Sequence, residues 1–291
     1  MLELGAHMSI AGGCDLALER AATFGMSACQ IFTKNASQWR AKPLDPEVVK
    51  RFHARRESTG IEHLVAHDSY LINLASPDDA LRERSRVAFA DELDRCDLLG
   101  VPFLVTHPGA HMGTGVEAGI ARVAEAINRI RDECPSGRTT ILLETTAGQG
   151  TTLGSRFEDL AAIIEAVEDR TTIGVCFDTC HVFAAGYELR NRAGYDTTMD
   201  AFAATIGFDR LKVFHLNDSK KGLGSRVDRH THIGEGELGA PAFGFLLNDR
   251  RFAGRPGLLE TPKGDDGVED RRNLAALRAL VGAAATVEDA A

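Results

Sequence analysis

The chain has no apolar run of about 18 residues, the length needed to cross a bilayer. Its first residues, "MLELGAHMSIAGG", lack the basic-then-apolar order of a secretory signal. Its six cysteines, Cys14, Cys29, Cys96, Cys134, Cys176 and Cys180, are scattered and form no C-x-x-C pair. That argues against a cysteine-ligated structural zinc and for thiols kept reduced. Positive charge is also short: the net charge is -9, which speaks against a protein that coats nucleic acid through bulk charge. Local phosphate binding stays open, because each bound divalent ion adds two positive charges at one point. These absences predict a cytoplasmic protein with no membrane partner. No linker or low-complexity segment interrupts the chain, so residues 1–291 read as one domain, with only "AAATVEDAA" at the end reading as a frayed tail.

What is there is a repeat of short apolar runs. They are "LGAHMS" near residue 6, "ACQIFT" near 31, "HLVAHD" near 65, "FLVTHP" near 105, "ILLET" near 143, "GVCFDT" near 177, "KVFHLND" near 214 and "GLLET" near 259. Each has the length and composition of a strand buried on both faces. Amphipathic stretches of helical period lie between them. In "PDDALRERSRVAFADELDRCDLLG", Arg82, Val87, Phe89, Leu93 and Leu98 alternate with charged residues, and Gly100 suits a helix C-cap. Eight strand–helix units in series predict an α/β fold of the (β/α)8 TIM-barrel type, which at about 250 residues is one domain.

Active sites of such barrels lie at the carboxyl ends of the strands. The residues expected there are His7, Thr33, His67, His107, Glu144, Asp178, His215 and Glu260. The last six are strong metal ligands, one per strand from the third to the eighth. Several carboxylates gathered at one mouth would repel unless cations sat between them. In "GVCFDTCHVFAAGY", Cys176 and Asp178 share strand parity, so Cys176 packs about 7 Å deeper in the barrel while Asp178 reaches the mouth. His181 follows in the loop after that strand. In "GSRVDRHTHIGEGELG", Asp228 and His230 are two apart and project to one side of an extended loop. This makes nine candidate ligands, five imidazoles and four carboxylates. With about four ligands per ion and one carboxylate bridging, they fit three ions. The nitrogen–oxygen mixture suits Zn2+, with Mn2+ or Fe2+ also compatible at some positions.

These motifs closely resemble the endonuclease IV family of apurinic/apyrimidinic (AP) endonucleases. The likeness rests on "GAHMSIAGG", "IFTKNASQWR", "HDSYLINLA", "THPGAH", "ETTAGQGTTLG", "GVCFDTCHVFAAGY", "HLNDSK", "GSRVDRHTHIGEGELG" and "LLET", and it covers nearly the whole chain. It implies a trinuclear zinc centre. His67 and His107 would hold one ion, with Glu144 bridging to a second that Asp178, His215 and Glu260 complete. His181, Asp228 and His230 would hold the third. It further implies hydrolysis of the phosphodiester 5′ to an abasic site in base excision repair, leaving a 3′-hydroxyl and a 5′-deoxyribose phosphate, together with 3′-end trimming. The partner would be double-stranded DNA with abasic or damaged sites, met by a monomer. Glu144 and Glu260 are both candidates to take the proton from the attacking water.

Tyr70 and Leu71 would act as a wedge at the lesion, whereas Ile72 and Leu74 read as core. Lys34, Gln38 and Arg40 on one loop, and Arg226 and Arg229 on another, are the expected DNA contacts. The chain departs from some family members at Ser37, where a long basic side chain is replaced, and at Ala110, where serine is common. His7 is expected beside a ligand or a phosphate. His53 reads as a helix-surface residue, and His63, His111 and His232 as either supporting the ligands from behind or structural. The principal alternative is a metal-dependent sugar isomerase or epimerase on the same barrel type, which needs one or two ions and a closed pocket. A non-catalytic binder of damaged DNA is the third reading.

Overall fold

The computed structural model describes residues 1–134, 137–264 and 267–282; the expected tail at 283–291 lies outside them. Seven strands follow one another as β1 (Glu3–His7), β2 (Ala28–Phe32), β3 (His63–His67), β4 (Phe103–Thr106), β5 (Thr140–Glu144), β6 (Ile173–Asp178) and β7 (Leu211–His215). A two-residue antiparallel pair, β8 (Asp218–Ser219) and β9 (His230–Thr231), comes next, and β10 (Pro256–Leu259) is the eighth barrel strand. All eight barrel strands run parallel, and β10 pairs with β1 (Glu3 opposite Pro256), which closes the barrel. Closure removes sheet edges and sends every strand's carboxyl end to the same rim. The expected TIM barrel is therefore present.

Helices α1 (Cys14–Thr23), α2 (Pro46–Thr59), α3 (Asp79–Leu99), α4 (Val116–Glu133), α5 (Phe157–Ala166), α6 (Thr179–Ala185), α7 (Arg192–Thr205), α8 (Ala240–Leu247) and α9 (Val268–Ala279) surround the strands. Sequence chemistry sets their ends. Asp45 and Asp78 accept a backbone N–H at the starts of α2 and α3, and Gly100 ends α3 in the left-handed conformation. On α3 the buried stripe is Ala88, Phe89, Leu93, Cys96 and Leu99, whereas Val87 and Leu98 are about half exposed. The alternation read from the sequence puts those two on the wrong face, since at 3.6 residues per turn they fall off the Phe89–Leu93–Cys96 stripe.

Two apolar cores result. The larger lies between strands and helices; the smaller fills the barrel and consists of Ala28, Val65, Val105, Leu142, Cys176, Val213 and Leu258. Cys176 is thus packing material inside the barrel, and all six cysteines are free. Gly5 on β1 admits the close approach of β2: an added Cβ would lie 1.9 Å from the Ala28 carbonyl oxygen. Among the described residues, no helix is long and apolar enough to cross a membrane.

Candidate metal centre

Each barrel strand from β3 onward delivers one ligand-type side chain to the rim. Strand β6 runs straight into α6, so Asp178 is both the last strand residue and the N-cap of the helix. Its Oδ1 accepts the His181 N–H at 2.7 Å, and its Oδ2 accepts from Asn217 Nδ2 at 2.7 Å. A carboxylate at the cap and an imidazole one turn later then face the same way.

Glu144 stands at the centre and is fully buried. Its Oε2 lies 3.1 Å from His67 Nε2 and 3.3 Å from His107 Nε2. Its Oε1 lies 3.0 Å from His215 Nδ1 and 3.2 Å from His181 Nδ1. The two oxygens of one carboxylate therefore address two different groups of ligands. Around them His67, His107 and Glu144 form one set within ligating reach, and Glu144, Asp178, His215 and Glu260 another. The third set meets over α6: His181 Nε2 is 3.2 Å from Asp228 Oδ2, His230 Nε2 is 3.3 Å from Asp228 Oδ1, and the two Nε2 atoms are 3.4 Å apart. Asp178 also lies within reach of His181 and His230. All nine expected ligands are brought together.

Four of the imidazoles tie one ring nitrogen to a carbonyl or amide oxygen, and His181 Nδ1 shares that contact with Glu144 Oε1. His67 Nδ1 meets the Asp68 carbonyl at 3.0 Å, His181 Nδ1 the Thr145 carbonyl at 2.9 Å and His230 Nδ1 the Glu260 carbonyl at 3.3 Å. His215 Nε2 meets Gln30 Oε1 at 2.8 Å. Donation there fixes one tautomer and leaves the other nitrogen's lone pair for a cation, the usual arrangement behind metal-binding imidazoles. Without a cation the groups hold one another's charge. Burial lowers the basicity of His67, but the Glu144 carboxylate outweighs it and raises the imidazole to about 10. Burial works against Glu144 too, and His215 and His107 outweigh it, holding its carboxyl well below the usual range. A buried carboxylate ringed by imidazoles, with further carboxylates beside it, is a donor set that fits divalent ions. Cys180 also lies near Asp228 and His230; in the metal-free chain burial pushes its thiol up to about 12, and its Sγ donates to the Arg229 carbonyl at 3.8 Å.

Sequence reasoning misses Gln30. It is fully buried on β2, donates from Nε2 to Glu260 Oε1 at 2.6 Å, and accepts from His215 through Oε1. Asn217 is a second such residue, joining Asp178 to the Glu260 backbone. Thr33, expected at the β2 position of the rim, instead turns to Glu92 on α3 and donates to its carboxylate. The one available signal for Gln30 is a lone amide in the apolar run "ACQIF". His7 meets Gln30 Nε2 through Nδ1 at 2.9 Å and sits against the Phe32 ring.

The ligands open onto a cleft of about 840 Å³, lined also by Tyr70, Asn35, Ala36 and Ile10. Tyr70 is 73 % exposed and leans edge-on against Phe32; Leu71 is half-buried, and Ile72 and Leu74 are core. Lys34, an expected phosphate contact, lines this cleft, but its charge is held inward. Its ammonium is buried against α3, 2.8 Å from Asp91 and 3.5 Å from Glu92. Gln38 and Arg40 are exposed and line a separate groove beside α3, where Arg84 stacks on Trp39. Arg226 and Arg229 lie on the loop that carries Asp228 and are exposed there. His53 bonds the Leu98 carbonyl from the surface of α2, His111 accepts the Gly113 and Gly115 N–H groups, and His232 meets Asn273. None of these three enters the ligand sets.

Residues 18–280 match the family model described as a xylose isomerase-like TIM barrel. A protein of Chloroflexus aurantiacus named as a probable endonuclease 4 is 57% identical over 281 residues, covering 97% of this chain and 99% of that protein. The crystal structure of endonuclease IV from Thermus thermophilus superposes with a TM-score of 0.86 at 39% identity, covering 96% of this chain and 98% of that one. A D-tagatose 3-epimerase-like protein is similar with a TM-score of 0.74 at 18% identity, over 98% of this chain and 100% of that one; that likeness concerns the fold alone. The chain belongs to the endonuclease IV family of xylose isomerase-like TIM barrels.

Proposed function

We propose that the chain is a zinc-dependent AP endonuclease. It would hydrolyse the phosphodiester 5′ to an abasic site in duplex DNA, leaving a 3′-hydroxyl and a 5′-deoxyribose phosphate, and trim blocked 3′ ends. The observation that carries this reading is Glu144, whose two oxygens face two imidazole groups in a cleft where a third ligand set also opens. His67 and His107 would hold one ion with Glu144; Asp178, His215 and Glu260 a second with the same carboxylate; His181, Asp228 and His230 a third. When bound, such ions lower the pKa of a coordinated water toward about 7 and offset the charge of a phosphate and its leaving oxygen.

The chain's own groups divide the remaining work. Glu260 is 19% exposed against 1% for Glu144, so besides its place in the second set Glu260 would be the carboxylate to take a proton from the attacking water, whereas Glu144 would serve as a ligand alone. Gln30 holds Glu260 Oε1 and the far nitrogen of His215, fixing the angle between them. Tyr70, exposed beside the cleft and backed by Phe32, would stack into the gap at an abasic nucleotide, where one stacking partner is already lost. Arg226, Arg229, Gln38 and Arg40 would meet phosphates on either side. An isomerase would have no use for the third ligand set or for an open cleft flanked by an exposed tyrosine. The test is nicking of an abasic oligonucleotide duplex by the metal-loaded chain, beside an intact duplex and a chelated sample. Cleavage confined to the abasic, metal-loaded sample is expected; an inert loaded enzyme would overturn the reading.

A further inference from the structure

Asp218 follows the last residues of the β7 rim and is fully buried. Its carboxylate makes no ion pair among the described residues and accepts only backbone N–H groups. Oδ1 takes Ser219 at 2.8 Å, Leu238 at 3.0 Å and Gly239 at 3.4 Å. Oδ2 takes Gly234 at 2.9 Å, Gly236 at 3.1 Å and Gly239 at 3.3 Å. These N–H groups saturate the roughly four lone-pair sites of one carboxylate. The chain is built to close on it. Gly234 and Gly239 have φ of 80° and 74°, and an added Cβ on Gly236 would lie 2.4 Å from Asp218 Oδ1 and from the Ser219 carbonyl. The peptide dipoles thus balance a buried negative charge that has no cation.

The segment gathered in this way starts and ends at the carboxylate. Between Ser219 and Gly234 it carries Asp228 and His230, and β8 pairs with β9 so that Ser219 lies opposite His230. We propose that Asp218 is the positioning residue of the third ion site: it folds the loop that presents Asp228 and His230, and touches neither ion nor substrate. This rests on the three-ion reading above. Strand-end ligands such as Glu144 and Asp178 do not depend on the loop, so its loss should release one ion and keep two.

The experiment titrates Zn2+ into the metal-free full-length chain by calorimetry, with native mass spectrometry to count ions, for wild type, Asp218→Asn and Gly236→Ala. Asp218→Asn turns one acceptor oxygen into a donor facing other donors; Gly236→Ala crowds the same cradle without altering any charge. In each, the third ion should bind about 10–100-fold more weakly while the other two bind as before. Amide hydrogen exchange at residues 234–239 should rise, and nicking should recover when Zn2+ is added in excess, a rescue that general misfolding would not show. Should Asp218→Asn not fold, Gly236→Ala decides. Wild-type affinity for the third ion in the folded variants, or loss of all three ions together, would overturn the inference. A wild-type chain that holds two ions or fewer would instead refute the three-ion reading on which it stands.

Discussion

The candidate metal centre has two kinds of ligand-type residue, and they are held differently. Glu144, Asp178 and His215 end barrel strands and are fully buried; the same ladder that closes the barrel fixes their backbones. Asp228 and His230 ride on a long excursion after β7 and remain partly exposed, so that excursion needs its own folding device, the cradle around Asp218. Ligands on strands come at no extra cost once the barrel forms, whereas ligands on a loop require order that the barrel does not supply.

This contrast predicts graded damage. Glu144→Gln removes the carboxylate shared by two ligand sets. It should leave at most one ion per chain and lower nicking by about 10³-fold or more, read by metal analysis and single-turnover cleavage. Asp228→Asn touches only the loop-borne set, so two ions should stay and the loss should be nearer 10²-fold, on the order of 10–100-fold for a weakened site. Equal damage from both would erase the distinction between strand and loop.

Protons sharpen it next. In the metal-free chain Glu144 outweighs burial and raises His67 to about 10, and, also against burial, Asp178 and Asp228 raise His181 well above 6.5. A proton held on these imidazoles must leave before they ligate. Zinc binding at pH 7 should therefore release protons, and affinity should go on rising as pH increases from about 6 through about 8. Calorimetry in buffers of different ionisation enthalpy measures the release; an affinity independent of pH across that window would contradict the charge assignment. The smallest effect is expected away from the ions. Tyr70→Ala with Leu71→Ala should raise KM for the abasic duplex by about tenfold, on the order of 1–3 kcal/mol for a lost stacking contact, with zinc content unchanged. An unaltered KM would remove the wedge.

The strand-borne half of the site is legible in the sequence because a period-2 strand fixes which residues reach the rim, and because imidazoles and carboxylates announce themselves there. The loop pair Asp228 and His230 is legible from spacing and family motif. Lys34 is not: it follows β2 in a loop, where nothing in the sequence says that the chain turns its ammonium inward to Asp91 and Glu92. Thr33 is misplaced for the same reason, and Val87 and Leu98 because a long helix packs only one stripe. Gln30 and Asp218 escape because their work is hydrogen bonding to partners distant in sequence. For Asp218 the partners are backbone groups, which leave only the glycines of "HIGEGELG" as a trace.

The central claim is that three ions occupy three ligand sets, two of them sharing Glu144, that open on one cleft. Anomalous X-ray scattering at the zinc edge from crystals of the loaded chain tests it directly. Three peaks are predicted: one beside His67 and His107, one beside Asp178, His215 and Glu260, and one beside His181, Asp228 and His230. A single peak, or peaks away from these side chains, would contradict the account.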